Sequence, residues 1–293
     1  MKKVFAPVHG GFFTVCVVVS LFTSGCAQRP DRYPKLTLPV GRNEHSEERY
    51  VTYETLVNQS ERAVRDAEEL RIAEVNTDLT LISADNPKLV WSEDKAYVLV
   101  ATYTGTYYDD KVGQDVPVDP DRPIWVTACP DLKDWCDAHP LTKTTLPVRL
   151  KQLLGMPPDV QKVNIVEMWV RPRHLKRPSL DPDITRQIDV TKLSLNRSDF
   201  FPPQGDAAYQ EWFYRQCALS YVMPNSKLGK YPWTRLGYTY DWGNPEFPHV
   251  GLSEFVILGG KDADGNQIKV RVKSVTPAQE YCLRREAAPG TGR

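Results

Sequence analysis

The chain has 293 residues, 37 basic and 37 acidic side chains, 41% apolar residues and a formal net charge of zero. That length and apolar content suffice for one or two folded domains and exclude wholesale disorder. The even balance, without a long block of like charges, excludes a nucleic-acid binder that must neutralise several phosphates. In chain order, Lys2 and Lys3 come first, and from Phe12 to Phe22 only Thr14 and Ser20 are polar. This run falls short of the roughly 20 apolar residues that span a bilayer, so residues 1–25 read as a signal peptide rather than a membrane helix.

The segment closes on Thr23, Ser24, Gly25 and Cys26, which resemble the lipobox of bacterial lipoproteins, with Thr23 standing where that class usually has leucine. The resemblance covers residues 1–26 only. It implies that Cys26 carries acyl chains such as palmitate and becomes the mature N-terminus. Ala27 follows in place of the aspartate that retains such proteins at the inner membrane, which implies an outer-membrane anchor facing the periplasm. Each buried methylene contributes about 0.8 kcal/mol, so several chains on one cysteine make a stable anchor. Ordinary cleavage after Ala27 is the alternative, and it would release a soluble periplasmic protein.

Residues 26–48 are polar, with Pro30, Pro34, Pro39 and Gly41, and read as a lipid anchor followed by a flexible tether. Residues 49–80 hold an amphipathic helix packed on the body, because Leu56, Ala63, Ala67 and Leu70 recur at helical spacing among charged residues. Residues 81–283 then form one α+β domain. Its predicted elements are a hairpin from Leu89–Trp91 into Tyr97–Tyr108, a strand over Ile124–Ala128 and a short helix over Leu146–Leu154. A strand over Val163–Val170 and a helix from Asp206 to Ser220, with Asp206 as N-cap, come next. Strands over Trp233–Trp242, Glu254–Leu258 and Ile268–Val275 complete the domain. Mixed strands and helices without a regular βαβ rhythm indicate an α+β fold, mainly antiparallel sheet with a few helices and one N-terminal amphipathic helix. Ile268, Val270 and Val272 alternate with Lys269, Arg271 and Lys273 as in a half-exposed strand protected against edge pairing. Residues 284–293 read as a disordered tail.

Beyond Cys26, the exported body carries Cys129, Cys136, Cys217 and Cys282. An even number outside the cytoplasm predicts disulfides, and the favoured pairing is Cys129 with Cys136 and Cys217 with Cys282. A metal site from Cys129, Cys136, His139 and His174 is disfavoured, because the six residues between the cysteines match no common zinc spacing. No cofactor and no metal are expected. Gly251-Leu252-Ser253-Glu254-Phe255 begins like a nucleophile elbow but has Phe255 where the second glycine belongs, so no catalytic residue is assigned. Asp262, Asp264 and Asn266 read as a hairpin loop rather than a calcium loop.

Two groups remain as candidate ligand-binding residues. Arg171 and Arg173 belong to a cationic cluster with His174, Lys176 and Arg177 that could hold a phosphate or carboxylate of an envelope polymer. Between Phe200 and Phe255 lie 14 of the chain's 30 aromatic residues, a density that marks a core or a binding face. Strand alternation there puts Leu236, Tyr238, Tyr240 and Trp242 on one side and Trp233, Arg235 and Asp241 on the other. A buried core face is the expectation. A sugar platform using Trp233, Arg235, Asp241 and Trp242, with Glu254 nearby, is the alternative. The functional expectation is a membrane-anchored envelope lipoprotein with a noncatalytic periplasmic binding or scaffolding domain. Its partners would be the membrane, through the lipid, and an envelope protein or cell-wall polymer. The rival is a periplasmic hydrolase or glycan-binding protein acting on envelope polymers.

Overall fold

The computed structural model describes residues 36–37, 50–189, 203–223 and 227–283. The signal peptide, Cys26, most of the tether and residues 284–293 lie outside the described residues. Within the tether, β1 (Leu36–Thr37) pairs antiparallel with β2 (Tyr50–Val51), so the expected flexible stretch contains a short paired segment.

Helix α1 (Tyr53–Glu68) starts where Thr52 caps it, the Thr52 hydroxyl accepting the Thr55 N–H at 3.1 Å. Leu56, Ser60, Ala63 and Ala67 form its buried stripe, as the helical spacing requires. The chain turns out of the helix at Glu69, and Arg71 braces that exit against Asp66, Glu69 and Glu74.

The body is a seven-stranded, wholly antiparallel sheet in the order β4-β11-β6-β3-β5-β10-β7. Its members are β3 (Val98–Thr104), β4 (Asp115–Pro117), β5 (Ile124–Ala128), β6 (Asn164–Val170), β7 (Leu175–Lys176), β10 (Phe255–Ile257) and β11 (Lys269–Pro277). Strands β8 (Tyr238–Tyr240) and β9 (Val250–Ser253) pair separately. The remaining helices are α2 (Asp131–Ala138), α3 (Leu146–Leu153), α4 (Ala207–Cys217), whose N-cap is Asp206, and α5 (Ala278–Cys282). This is an α+β fold.

The period of two sorts the sheet residues into two cores. Val98, Val100, Val166, Met168, Val170, Phe255, Ile257, Val270 and Val272 fill one side, closed by Ile82, Leu89 and Ile184 from irregular segments. Leu99, Ala101, Tyr103 and Ile165 fill the other, packing on residues of α2, α3 and α5. Arg177 is fully buried and ties the irregular segments together, its guanidinium donating to the Asp183 and Thr80 carbonyls at 3.2 and 3.1 Å.

Several expectations change. The Leu89–Trp91 hairpin reduces to a single bridge, Trp91 to Val98, because β3 takes β6 and β5 as its partners. Strand β11 has β4 on one side and β6 on the other, so its lysines and arginine flank an interior strand rather than guard an edge. The long strand over Trp233–Trp242 is broken. Arg235 and Gly237 adopt positive φ, 59° and 75°, and a turn joins Trp233 to Thr239. A side chain at Gly237 would meet Arg177 Cγ and Cδ at 2.7 Å, which requires glycine at this point of the turn.

The disulfide pairing also differs. Cys136 bonds to Cys282, with Cα atoms 5.0 Å apart, while Cys129 and Cys217 are buried free thiols. The cause is the packing of α2 against α5, which brings Cys136 and Cys282 into one core. Cys129 lies just before α2, its sulfur 4.0 Å from a Glu167 oxygen, and Cys217 belongs to the separate aromatic core around Trp212. Burial pushes both thiols upward, Cys217 to about 11 and Cys129 beyond that.

Candidate functional site

Strand β5 contributes Ile124 and Trp125 to the wall of a cavity, and its neighbour β10 packs on the aromatic cluster beside it. Val256 pairs with Trp125, and both join Tyr209, Trp212, Phe213 and Trp233 in one cluster. Trp125, Trp212 and Trp233 meet with ring centroids 5.7 to 6.1 Å apart. Next to this cluster is a cavity of about 640 Å³ whose lining includes Tyr103, Trp125, Tyr231, Trp233, Tyr240 and Glu254. A cavity of this size that combines several aromatic side chains with polar and charged ones has the properties of a small-ligand site.

Glu254 sits between β9 and β10. It shares the face of Val256 by alternation, and extending the β10–β5 register by one step sets it opposite Thr127. Its carboxyl makes no hydrogen bond or ion pair with a described residue, and burial alone pushes it up to about 8. The Thr127 hydroxyl and the Trp233 indole N–H are likewise buried without a partner. Folding keeps this carboxyl protonated at pH values where the unfolded chain, titrating near 4.5, has released the proton. The native state therefore loses stability as pH rises from that value through about 8. The raised pKa and the neighbouring unpartnered groups among the described residues make Glu254 the candidate functional residue of this cavity.

Of the sequence-predicted ligand residues Trp233 lines this pocket, as does Glu254, which the platform reading placed nearby. Asp241 is 3% exposed and its carboxylate accepts both Arg149 Nη groups at 3.0 and 2.9 Å, which leaves it no free face for a sugar. The guanidinium of Arg235 donates to the Ala67 and Glu68 carbonyls at 2.7 and 2.8 Å, closing the end of α1. Trp242 is buried against α1, and its indole N–H donates to the Met156 carbonyl at 3.1 Å. Arg235, Asp241 and Trp242 are therefore structural, because the turn at Arg235 and Gly237 buries both sides of the segment.

Arg171 and Arg173 line a different cleft of about 850 Å³ that shares no lining residue with the aromatic pocket. Arg173 pairs with Asp262 and Asp264 at 2.8 and 3.1 Å, and Arg271 pairs with Asp115 at 3.1 Å. Arg171 lies over the Tyr97 ring, 4.8 Å from its centroid. Acids neutralise most of this cleft, which weakens it as an anion site. In the same cleft His174 is buried against Asp262, and desolvation lowers its pKa. His249 stacks on Tyr240 with its Nδ1 at the Asn244 carbonyl, 2.7 Å away, and the Ser253 hydroxyl accepts the Thr80 N–H at 2.7 Å. Among the described residues no hydrogen bond joins His249 to Ser253.

Sequence reading missed Trp125, Tyr103 and Tyr231 as pocket residues. The strand over Ile124–Ala128 was legible, but the register that sets Trp125 across from Val256 was not. Comparison of the chain with protein-family models, with curated proteins and with solved structures finds no match.

Proposed function

We propose that this chain is an envelope lipoprotein, anchored through acylated Cys26 in the outer membrane and facing the periplasm, whose body binds a cell-wall polymer without transforming it. The observation that carries the binding role is the cavity lined by Trp125, Trp233, Tyr231 and Tyr240, into which Glu254 brings a carboxyl without a partner among the described residues and beside which the buried Trp233 indole N–H is also unpartnered. Aromatic faces stack on the rings of glycans, and unpartnered donors and a carboxyl supply directional contacts. Anchorage rests on the resemblance of Thr23 to Cys26 to the lipobox. A tether of some twenty residues would give the body reach toward the wall.

One observation favours a second reading, hydrolysis of the polymer. A carboxyl kept protonated near neutral pH in an aromatic pocket is what a general acid requires. Thr104, half-buried at the end of β3, lines the pocket, so Thr104→Trp would fill it. Retention of the full-length protein on purified wall glycan should be lost in Thr104→Trp, with the glycan recovered intact. Equal retention by both proteins would refute the pocket as the binding site, and glycan cleavage that disappears in Glu254→Gln would establish the hydrolase.

A further inference from the structure

We propose that the aromatic pocket takes a ligand bearing an ammonium group, seated against Glu254 and the surrounding ring faces, with a neighbouring hydroxyl or carbonyl accepting the Trp233 indole N–H. The inference rests on the reading of this pocket as the binding site and names the chemistry of its occupant. The charges around the pocket set the sign. Asp119 and Asp121 line it together with Arg122 and Lys162, two acids against two bases, so Glu254 is the uncompensated charge. Asp121 also has its own partner, Arg215, 3.5 Å away.

A positive group gains twice here. It pairs with a carboxylate that finds no cation in the described protein, and it lies among the aromatic side chains of Trp125, Trp233, Tyr231 and Tyr240 that line the cavity. A neutral ligand would gain only one hydrogen bond from the protonated carboxyl. An anion would be repelled once Glu254 ionises. The Trp233 N–H, in a side chain only 4% exposed, is a donor that no cation can satisfy, hence the acceptor required of the ligand.

Binding of a cation draws the Glu254 proton off, so affinity follows the ionised fraction of that group. It should fall by up to about ten-fold for each pH unit below about 8 and level off above it. The other titratable groups on the pocket are the four rim charges and the tyrosines. Burial pushes Tyr103 and Tyr108 to about 12 and raises Tyr231 and Tyr240, keeping those hydroxyls neutral throughout. Tyr107 completes the set.

The test is calorimetric titration of the full-length protein in detergent with choline and with its uncharged isostere, in which a quaternary carbon replaces nitrogen. Choline should bind on the order of ten-fold tighter or more, with the stated pH profile. Glu254→Gln should abolish the pH profile and reduce the preference to the smaller part that the aromatic rings supply, while the protein melts cooperatively. Equal binding of the isostere, a flat pH profile, or an unchanged preference in Glu254→Gln would overturn the proposal. A soluble wall digest separates this failure from that of the pocket itself. Digest that binds wild type but not Thr104→Trp, with no choline binding, leaves the pocket standing and removes the ammonium. Binding of neither removes both.

Discussion

Truncation of Tyr240 or Trp242 to alanine is expected to destabilise the protein by about 3 to 5 kcal/mol, the range for large aromatics that leave cavities in a core. Both side chains are buried, at 6% and 8% exposure, and pack with Leu56, Ala63 and Ala67 of α1. Each also has its polar atom engaged. The Tyr240 hydroxyl donates to Asp66 Oδ2 at 2.8 Å, and the Trp242 indole to the Met156 carbonyl at 3.1 Å. Either truncation therefore removes apolar contact and leaves an acceptor to find water. Loss of α1 packing should accompany it, because the buried stripe of that helix rests on these rings. Tyr240→Phe isolates the hydrogen bond to a carboxylate and should cost about 1.5 to 3 kcal/mol, less than the truncation. Urea unfolding followed by fluorescence and by circular dichroism checks all three. Alanine variants that unfold at the wild-type midpoint would show that these rings form an exposed platform instead.

Breaking the Cys136–Cys282 bridge is the second large effect. It closes a separation of 146 residues, for which the chain-entropy relation gives about 5 kcal/mol, while removal of native bridges typically costs 2 to 5. At roughly 2 to 4 °C per kcal/mol for a body of this size, the double Cys136→Ala, Cys282→Ala variant should melt about 4 to 20 °C lower. Cys129 and Cys217 give the control. Both are buried and held protonated, so neither should react with an alkylating reagent until the protein unfolds. Non-reducing peptide maps should join the Cys136 and Cys282 peptides. A map that joins Cys129 to Cys136 would contradict the packing of α2 on α5.

The pairing shows where sequence reading stops. Alternation and composition located β5, β6 and the inward residues of β11, and helical spacing located α1 through Leu56, Ala63 and Ala67. These signals are local, since each strand or helix records its own buried face. Which cysteine meets which depends on the docking of α2 against α5, two helices whose cysteines are 146 positions apart, and no local pattern carries that information. The segment from Trp233 to Trp242 failed for a different reason. Its alternation was read as continuous, but Arg235 and Gly237 enter the left-handed region and fold the segment on itself. Gly237 was the available cue, since an isolated glycine in a strand pattern signals a bulge or a close backbone approach. Glu254 was legible as a polar group near the aromatic cluster. Its isolation was not, because it depends on Trp125, Tyr103 and Trp233 converging from three parts of the chain.

In the proposed lipoprotein a single residue, Cys26, would join the binding pocket to the membrane. Mass spectrometry of the mature N-terminus, on protein isolated from the membrane fraction of its own cells, tests that union most directly. The expected species begins at Cys26, carries acyl chains and stays with the outer membrane. An unmodified chain beginning at Gln28, recovered in the soluble periplasmic fraction, would contradict the lipoprotein account.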